Sequence, residues 1–435
     1  MKRKFLLLLS CLIALPASHA LAHHDAPDAA NGVAANGVAE TRIPQPPDDT
    51  HKSAVVVSSS TQLAKRGQLA KRLQTFSVDV TADIDPGVGR DNPSSFWDGK
   101  ELRPVIYAPQ PNGGAKIAWT DTKGTVHITP LDRRMRRCGV DMLLEGVLLR
   151  DLVAHNDGSA ILTLQEGGMH LTRIRNQETI FKTRLISNSS REIHWGSLAW
   201  NGHTYGAYFA LHGGGHEGDS LRFVDSDGEI LKGGWNWGVS HSIDMRLVPS
   251  DDAFFPIALS DAYPGTGFYF NHNAKRISYT WGNFRGGTGG RIGGVVAVGD
   301  RLFMAFTSKE GDRKHWSVAL ADFAKEPPHK QQVHQYLEDA ESDQTNVKIA
   351  RYGKDRLLIS WVDSATEQRK FAIYNQQGQR EGPAEILPVT ASPRSDFKTL
   401  SGGSVAWAHV DGDGHRTLKI MRLIPQNIRL ASFAE

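Results

Sequence analysis

A short apolar run, a polar turn and a second apolar run recur seven times along this 435-residue chain. The first members are Lys116–Thr120, Ala160–Leu164, Gly206–Leu211, Phe255–Leu259, Leu302–Thr307, Arg356–Trp361 and Ser404–Ala408. Their partners are Thr125–Thr129, His170–Ile174, Ser220–Val224, Gly267–Asn271, His315–Ala319, Lys370–Tyr374 and Thr417–Met421. Runs this short, bounded by glycine, asparagine and aspartate, read as strands joined by tight turns. Long helical periodicity is nearly absent. The chain therefore reads as all-β and repetitive, with a period of about 45 to 55 residues.

Seven strand pairs at that spacing resemble a seven-bladed β-propeller of antiparallel blades, over roughly residues 100–425. The resemblance is one of architecture. No Trp-Asp ending recurs as in WD40 repeats, since Trp119-Thr-Asp121 and Trp361-Val-Asp363 sit elsewhere in the unit. No run of sialidase-type Asp boxes is present. The fold implies no activity by itself, because sites are grafted on folds.

The termini add two strand candidates. Phe76–Val80 alternates apolar and polar residues, and Arg103–Tyr107 is a second run. Either can pair with the last repeat to close a ring, and Ile428–Phe433 follows that repeat. Two segments depart from even spacing. Residues 324–345 are polar, carry Pro327 and Pro328, and read as a surface excursion. Residues 212–219 (HGGGHEGD) interrupt the expected turn of the third repeat, and residues 231–246 lead from it into the fourth.

The start of the chain changes the charge balance. Lys2, Arg3 and Lys4 precede an apolar core from Phe5 to Leu15, and Ala20-Leu21-Ala22 fits a cleavage site. Residues 1–22 therefore read as an export signal, too short for a membrane span. The expected location is secreted or periplasmic. Without the signal, 47 basic residues face 47 acidic ones. A neutral chain offers no basic field for nucleic acid, and no later stretch has the length of an integral membrane segment. Cys11 leaves with the signal and Cys138 remains alone, so no internal disulfide forms. Residues 23–75, with a repeated Asn-Gly-Val-Ala, three prolines and a serine run, read as a flexible linker. The propeller domain is expected over 76–435.

Candidate chemistry concentrates between residues 194 and 294. His212, His216, His241, Trp235, Trp237, Glu217, Asp219, Asp244, Arg246 and Tyr263 fall there, followed by a glycine-rich stretch that presents Arg285 and Arg291. Loops of the third to fifth repeats are neighbours in a propeller, and ligands commonly bind such loops. Three glycines separate His212 from His216, so a helical zinc motif is excluded. A divalent metal on His216, Asp219 and His241 stays open. Asp411-Gly-Asp413-Gly-His415 lacks the full EF-hand series and reads as a turn. Ser240, His241 and Asp244 lie too close in sequence to suggest a triad, and no nucleophile elbow is present.

Trp235 and Trp237 face the same side if extended, as paired indoles that stack on sugar rings do. Trp119, Trp361 and Trp407 are expected between blades. Arg246, Arg285 and Arg291 are candidates to clamp a carboxylate or sulfate. His241 or His216 with Tyr263 and Arg246 would make a catalytic kit for β-elimination in an acidic polysaccharide. Glu217, Asp219, Asp244 and Asp261 would instead offer an acid–base pair for glycoside hydrolysis. The expected function is recognition, with or without cleavage, of an extracellular glycan at one His/Trp/Arg-rich site. A non-catalytic propeller that binds carbohydrate or a cell-surface protein is the alternative.

Overall fold

The computed structural model of the chain describes residues 67–85, 105–186, 192–213, 216–236, 242–251, 253–260, 267–272, 275–279, 291–309, 312–326, 331–392, 395–410 and 416–426. These form seven antiparallel sheets. Six of the repeated strand pairs lie at the middle of a four-stranded sheet, and the third pair belongs to a sheet of three, in which its second strand is the edge. The first strands of the sheets are Ile106–Pro109, Val147–His155, Glu192–Trp200, Ser242–Pro249, Arg291–Val298, Gln344–Tyr352 and Lys398–Thr399. Each packs on the first strand of the next sheet, and Lys398–Thr399 packs on Ile106–Pro109. The first strands therefore circle a common axis, and the chain is a propeller.

Seven apolar clusters hold the ring, one between each pair of neighbouring sheets. Ile117 and Trp119 point towards the last sheet, whereas Ala118 between them points towards the second. Successive residues of a strand alternate faces, and here both faces are covered. Middle strands are consequently continuous apolar runs, which is why the repeat is visible. Trp119, Trp361 and Trp407 are fully buried, each in a different inter-sheet cluster.

The N-terminal strand closes the ring. Leu73–Asp79 pairs antiparallel with Thr417–Leu423, as the outer strand of the seventh sheet. The folded part starts before residue 76. Leu69 is buried in the cluster between the sixth and seventh sheets, and the Glu385 carboxylate accepts its N–H at 2.9 Å. A three-residue helical turn, Ala70–Arg72, leads into this strand.

Two irregular segments also prove more regular than expected. The glycine-rich 212–219 segment is not an interruption. Strands Thr204–Gly213 and His216–Asp225 stay paired to their ends, with Gly213 opposite His216. The polar 324–345 stretch contains Gln331–Tyr336, the outer strand of the fifth sheet. The Asp411–His415 turn and Ile428–Phe433 lie outside the described residues.

Candidate functional site

In an antiparallel four-stranded sheet, one end carries the start of the first strand, the end of the second and the start of the third. In the third to fifth sheets that end holds His212, Gly213, His216 and Glu217, the start of Ser242–Pro249, the ends Ser260 and Gly267, and Arg291. Sequence clustering thus becomes clustering at one end of three neighbouring sheets. His241, Tyr263, Trp237 and Arg285 lie outside the described residues. His212, His216 and Glu217 are placed by backbone only. Arg291 opens its strand, with its backbone N–H donating to Thr307 Oγ1 at 3.1 Å.

The other predicted residues divide between two places. Asp219 and Trp235 belong to the third sheet. Asp219 is fully buried and accepts hydrogen bonds from Tyr208 Oη at 2.5 Å and Trp235 Nε1 at 3.2 Å. Burial and the adjacent carboxylate push the Tyr208 hydroxyl well above its ordinary pKa, so it stays a donor. The Trp235 carbonyl accepts from Ser220 Oγ and Arg222 Nη1, and its backbone bridges Leu221 where a fourth strand would lie. Trp235 is thus bonded through its polar edge and half-buried, rather than one of two exposed indoles. Asp219 is committed to these donors, which argues against it as a metal ligand or a hydrolytic carboxylate.

Asp244 and Arg246 line the axis. Five of the first strands carry a bulge near their start, between Leu149 and Asp151, Ile193 and Gly196, Ile243 and Arg246, Ile292 and Gly294, and Thr345 and Lys348. A bulge re-aims side chains that a regular pleat would direct between the blades. Asp244 and Asn346 take left-handed backbone there, with φ of 48° and 44°. At three of these bulges a side chain ties the next sheet. Asp151 accepts the Leu198 N–H at 2.7 Å, Asp244 accepts the Ile292 N–H, and Asn346 donates to the Ala391 carbonyl at 3.1 Å.

Arg246 joins opposite sides of the ring. Its Nε reaches Asp396 at 2.9 Å, across the axis, in the segment that leads into the seventh sheet. Nη1 donates to Asp244 and to the Met245 carbonyl, both at 2.9 Å, and Nη2 to the Ile292 carbonyl at 2.9 Å. Burial opposes its charge, but the two carboxylates outweigh burial and hold the guanidinium protonated. Lys348 is buried beside this knot. Burial pushes its ammonium down to about 7, Arg246 and Arg369 push the same way, and Asp396 and Asp244 oppose them. Arg246 was expected to neutralise a substrate carboxylate. Four of its five N–H groups are already given to the protein, so it acts as a bolt through the axis.

On the far side of this bolt a cavity of about 260 Å³ runs towards the ends of the first strands. Arg150, Asp151, Ser197, Val296 and Lys398 are among its walls. Apart from Asp244 and Arg246, none of the charged axis residues stood out in the sequence. Their signal is a charge inside an otherwise apolar strand, as Asp151 in VLLRDLVA or Lys348 in TNVKIA.

Two other histidines have structural partners. His127 lies between Asp121 at 3.1 Å and Asp141 at 3.6 Å and stacks on Trp119 at 4.0 Å. His155 Nε2 is 2.9 Å from the Tyr205 hydroxyl and beside Trp200. Among the described residues, no three His, Cys, Asp or Glu side chains are grouped to hold a metal ion.

No family model and no curated protein matches the chain. Solved structures resemble it. A WD40 domain of coronin from Toxoplasma gondii superposes with a TM-score of 0.49 at 12% identity, over 83% of this chain and 89% of that one. The WD40 domain of SCAP from fission yeast gives 0.43 at 7%, over 79% and 84%. The lectin BP39L from Burkholderia pseudomallei gives 0.42 at 10%, over 72% and 97%. The likeness is one of fold. No helix among the described residues is long and apolar enough to cross a membrane.

Proposed function

We propose that this chain is an exported propeller that recognises an extracellular glycan at the strand-start end of its third to fifth sheets. The observation that carries the reading is convergence. His212, His216, Glu217, the entry to the strand bearing Asp244, and Arg291 belong to one end of three neighbouring sheets. Polar residues gathered at one end of a ring suit the rim of hydroxyls that a sugar offers.

Recognition is favoured over cleavage. The elimination scheme needs an arginine to bind a uronate carboxylate, and Arg246 is engaged with Asp244 and Asp396. The hydrolytic scheme needs a pair of available carboxylates, and Asp219 and Asp244 are engaged by Tyr208, Trp235 and Arg246. Cleavage would rest on His241, Tyr263 and Arg285, or on Glu217 and Asp261.

The test incubates the chain from residue 23 onward with acidic and neutral polysaccharides. Binding is followed by affinity electrophoresis, and cleavage by unsaturated-uronate absorbance and reducing ends. Retardation that Trp237→Ala and His241→Ala weaken, without product, is the expected result. Product formation abolished by His241→Ala would replace recognition by catalysis. Silence across the panel would leave a cell-surface protein as the ligand, to be sought by pull-down.

A further inference from the structure

We propose that the Arg66–Gly67 bond is a processing site for an endoprotease that cuts after paired basic residues, and that the new Gly67 ammonium seats on the Glu385 carboxylate. Processing parts the propeller from residues 23–66 and leaves its ring closed. This site is independent of the glycan reading, which uses the third to fifth sheets.

The same pentapeptide occurs twice. Gln62-Leu-Ala-Lys-Arg66 and Gln68-Leu-Ala-Lys-Arg72 stand on either side of Gly67. A protease that reads Lys-Arg finds its recognition residues in both copies, so the fold decides which is cut. The second copy is locked. Leu69 is buried, Ala70–Arg72 is a helical turn, and Leu73 begins the closing strand paired with Thr417–Leu423. The Arg72 carbonyl accepts the Ile424 N–H at 3.3 Å, and Arg72 Nη2 donates to Gln68 Oε1 at 3.3 Å. The Arg72–Leu73 bond is therefore reached only when the turn and the closing strand open locally. The first copy lies outside the described residues, in the segment whose composition predicts a linker. On the other side of its bond, Gly67 and Gln68 are exposed.

Glu385 is placed to receive the new end. Its two carboxylate oxygens accept the Leu69 N–H at 3.1 and 2.9 Å, and Oε2 also accepts the Ala70 N–H at 3.4 Å. Gly67 lies against the same carboxylate. A Cβ on Gly67 would overlap Glu385 Oε2, so glycine is the residue this approach requires. The Gly67 nitrogen is two bonds of about 1.5 Å from that point, within reach of the carboxylate after a small rotation. Hydrolysis adds one water across the amide. Arg66 leaves with the new carboxylate, and Gly67 keeps its nitrogen as an α-amine, which is mostly protonated at neutral pH. An ammonium beside a half-buried carboxylate forms a charge-assisted hydrogen bond. The cut thus adds an ion pair to the clasp that holds the closing strand.

N-terminal sequencing of the protein recovered from the cells that make it tests the processing. A chain that begins at Gly67 is expected, and Arg66→Gln should abolish that start. A chain that retains residues 62–66, or one that begins after Arg72, would overturn the site. The seat is tested in the processed protein by NMR of labelled glycine, with the Gly67 Cα resonance followed against pH. The α-amine should titrate at least about half a unit above the ordinary value of about 7.7–8.0, and return to it in Glu385→Gln. An ordinary value in the wild-type protein, or a raised one unmoved by Glu385→Gln, refutes the seat. Should that variant fold poorly, the wild-type titration decides the seat, and limited trypsin digestion of the chain from residue 23 onward decides the selectivity. Cleavage after Arg66 must run at least about a hundredfold faster than after Arg72, and comparable rates refute the choice between the copies.

Discussion

Replacing Arg246 by methionine tests whether one side chain bolts opposite sides of the ring. The substitution keeps much of the aliphatic stem and deletes the guanidinium that holds Asp244 and Asp396. The Asp244 side chain is 4% exposed and that of Asp396 is 24% exposed, so neither carboxylate is rescued fully by water. Removing one partner of a buried pair costs about 3–5 kcal/mol, because the remaining charge stays desolvated. Unfolding entropy near Tm is about 2.1 cal/mol/K per residue, hence about 0.75 kcal/mol/K for a ring of about 360 residues. The expected fall in Tm is then about 4–7 °C. Urea denaturation of Arg246→Met, Asp396→Asn and the double variant gives the coupling. The double variant should lose at least about 1 kcal/mol less than the sum of the singles. A Tm drop below about 2 °C, or additivity within about 0.5 kcal/mol, would refute the bolt.

Three further outcomes follow from the same geometry. The Lys348 ammonium titrates near 7 in the folded chain and near 10.4 unfolded, so the unfolded chain binds more protons between those values. Stability should rise with pH from about 7 to 9.5, and Lys348→Met should flatten that slope in denaturation curves; an unchanged slope counts against it. The imidazole of His155 is pushed down to about 4 by burial and by Arg173, against Asp157. Here the unfolded chain binds more protons between about 4 and 6.5, so acidification through that window costs stability, and NMR should show His155 neutral down to pH 5. A His155 resonance titrating near 6.5 would refute this burial argument. Glu385→Ala removes the acceptor for the Leu69 and Ala70 N–H groups, at a cost of about 1–2 kcal/mol. Limited proteolysis should cut faster after Lys71 and Arg72, and an unchanged rate would show that the closing strand does not need this clasp.

The sequence by itself determined the middle of every blade. Those strands are covered on both faces, so burial writes itself as uninterrupted apolar runs, such as LFMAF and RLLISW, that recur with the blade period. The first strands were harder to read. They face the axis on one side, and their bulges admit Asp151, Asp244 and Asn346 into otherwise apolar stretches. Ring closure by Leu73–Asp79 was legible as an alternating strand, but its partner lies more than 330 residues away, and no local signal encodes that pairing.

The site divided in the same way. Chemistry near residues 194–294 was visible because it is concentrated in sequence, and antiparallel connectivity carries much of it to one end of three sheets. Which side chains are available was a tertiary decision. Arg246 and Asp244 look alike in sequence to a ligand clamp, and only the approach of Asp396 from the opposite sheet turns them into a bolt. Trp235 looked like half of a stacking platform until Asp219 and Tyr208 arrived on paired strands beside it. Arg150 and Lys398 carried no shared signal, being about 250 residues apart, and line one cavity only because the ring brings the second and seventh sheets to either side of the first. Local sequence specifies burial and turns through short-range chemistry, whereas the pairing of charges across an axis depends on closure of the whole ring.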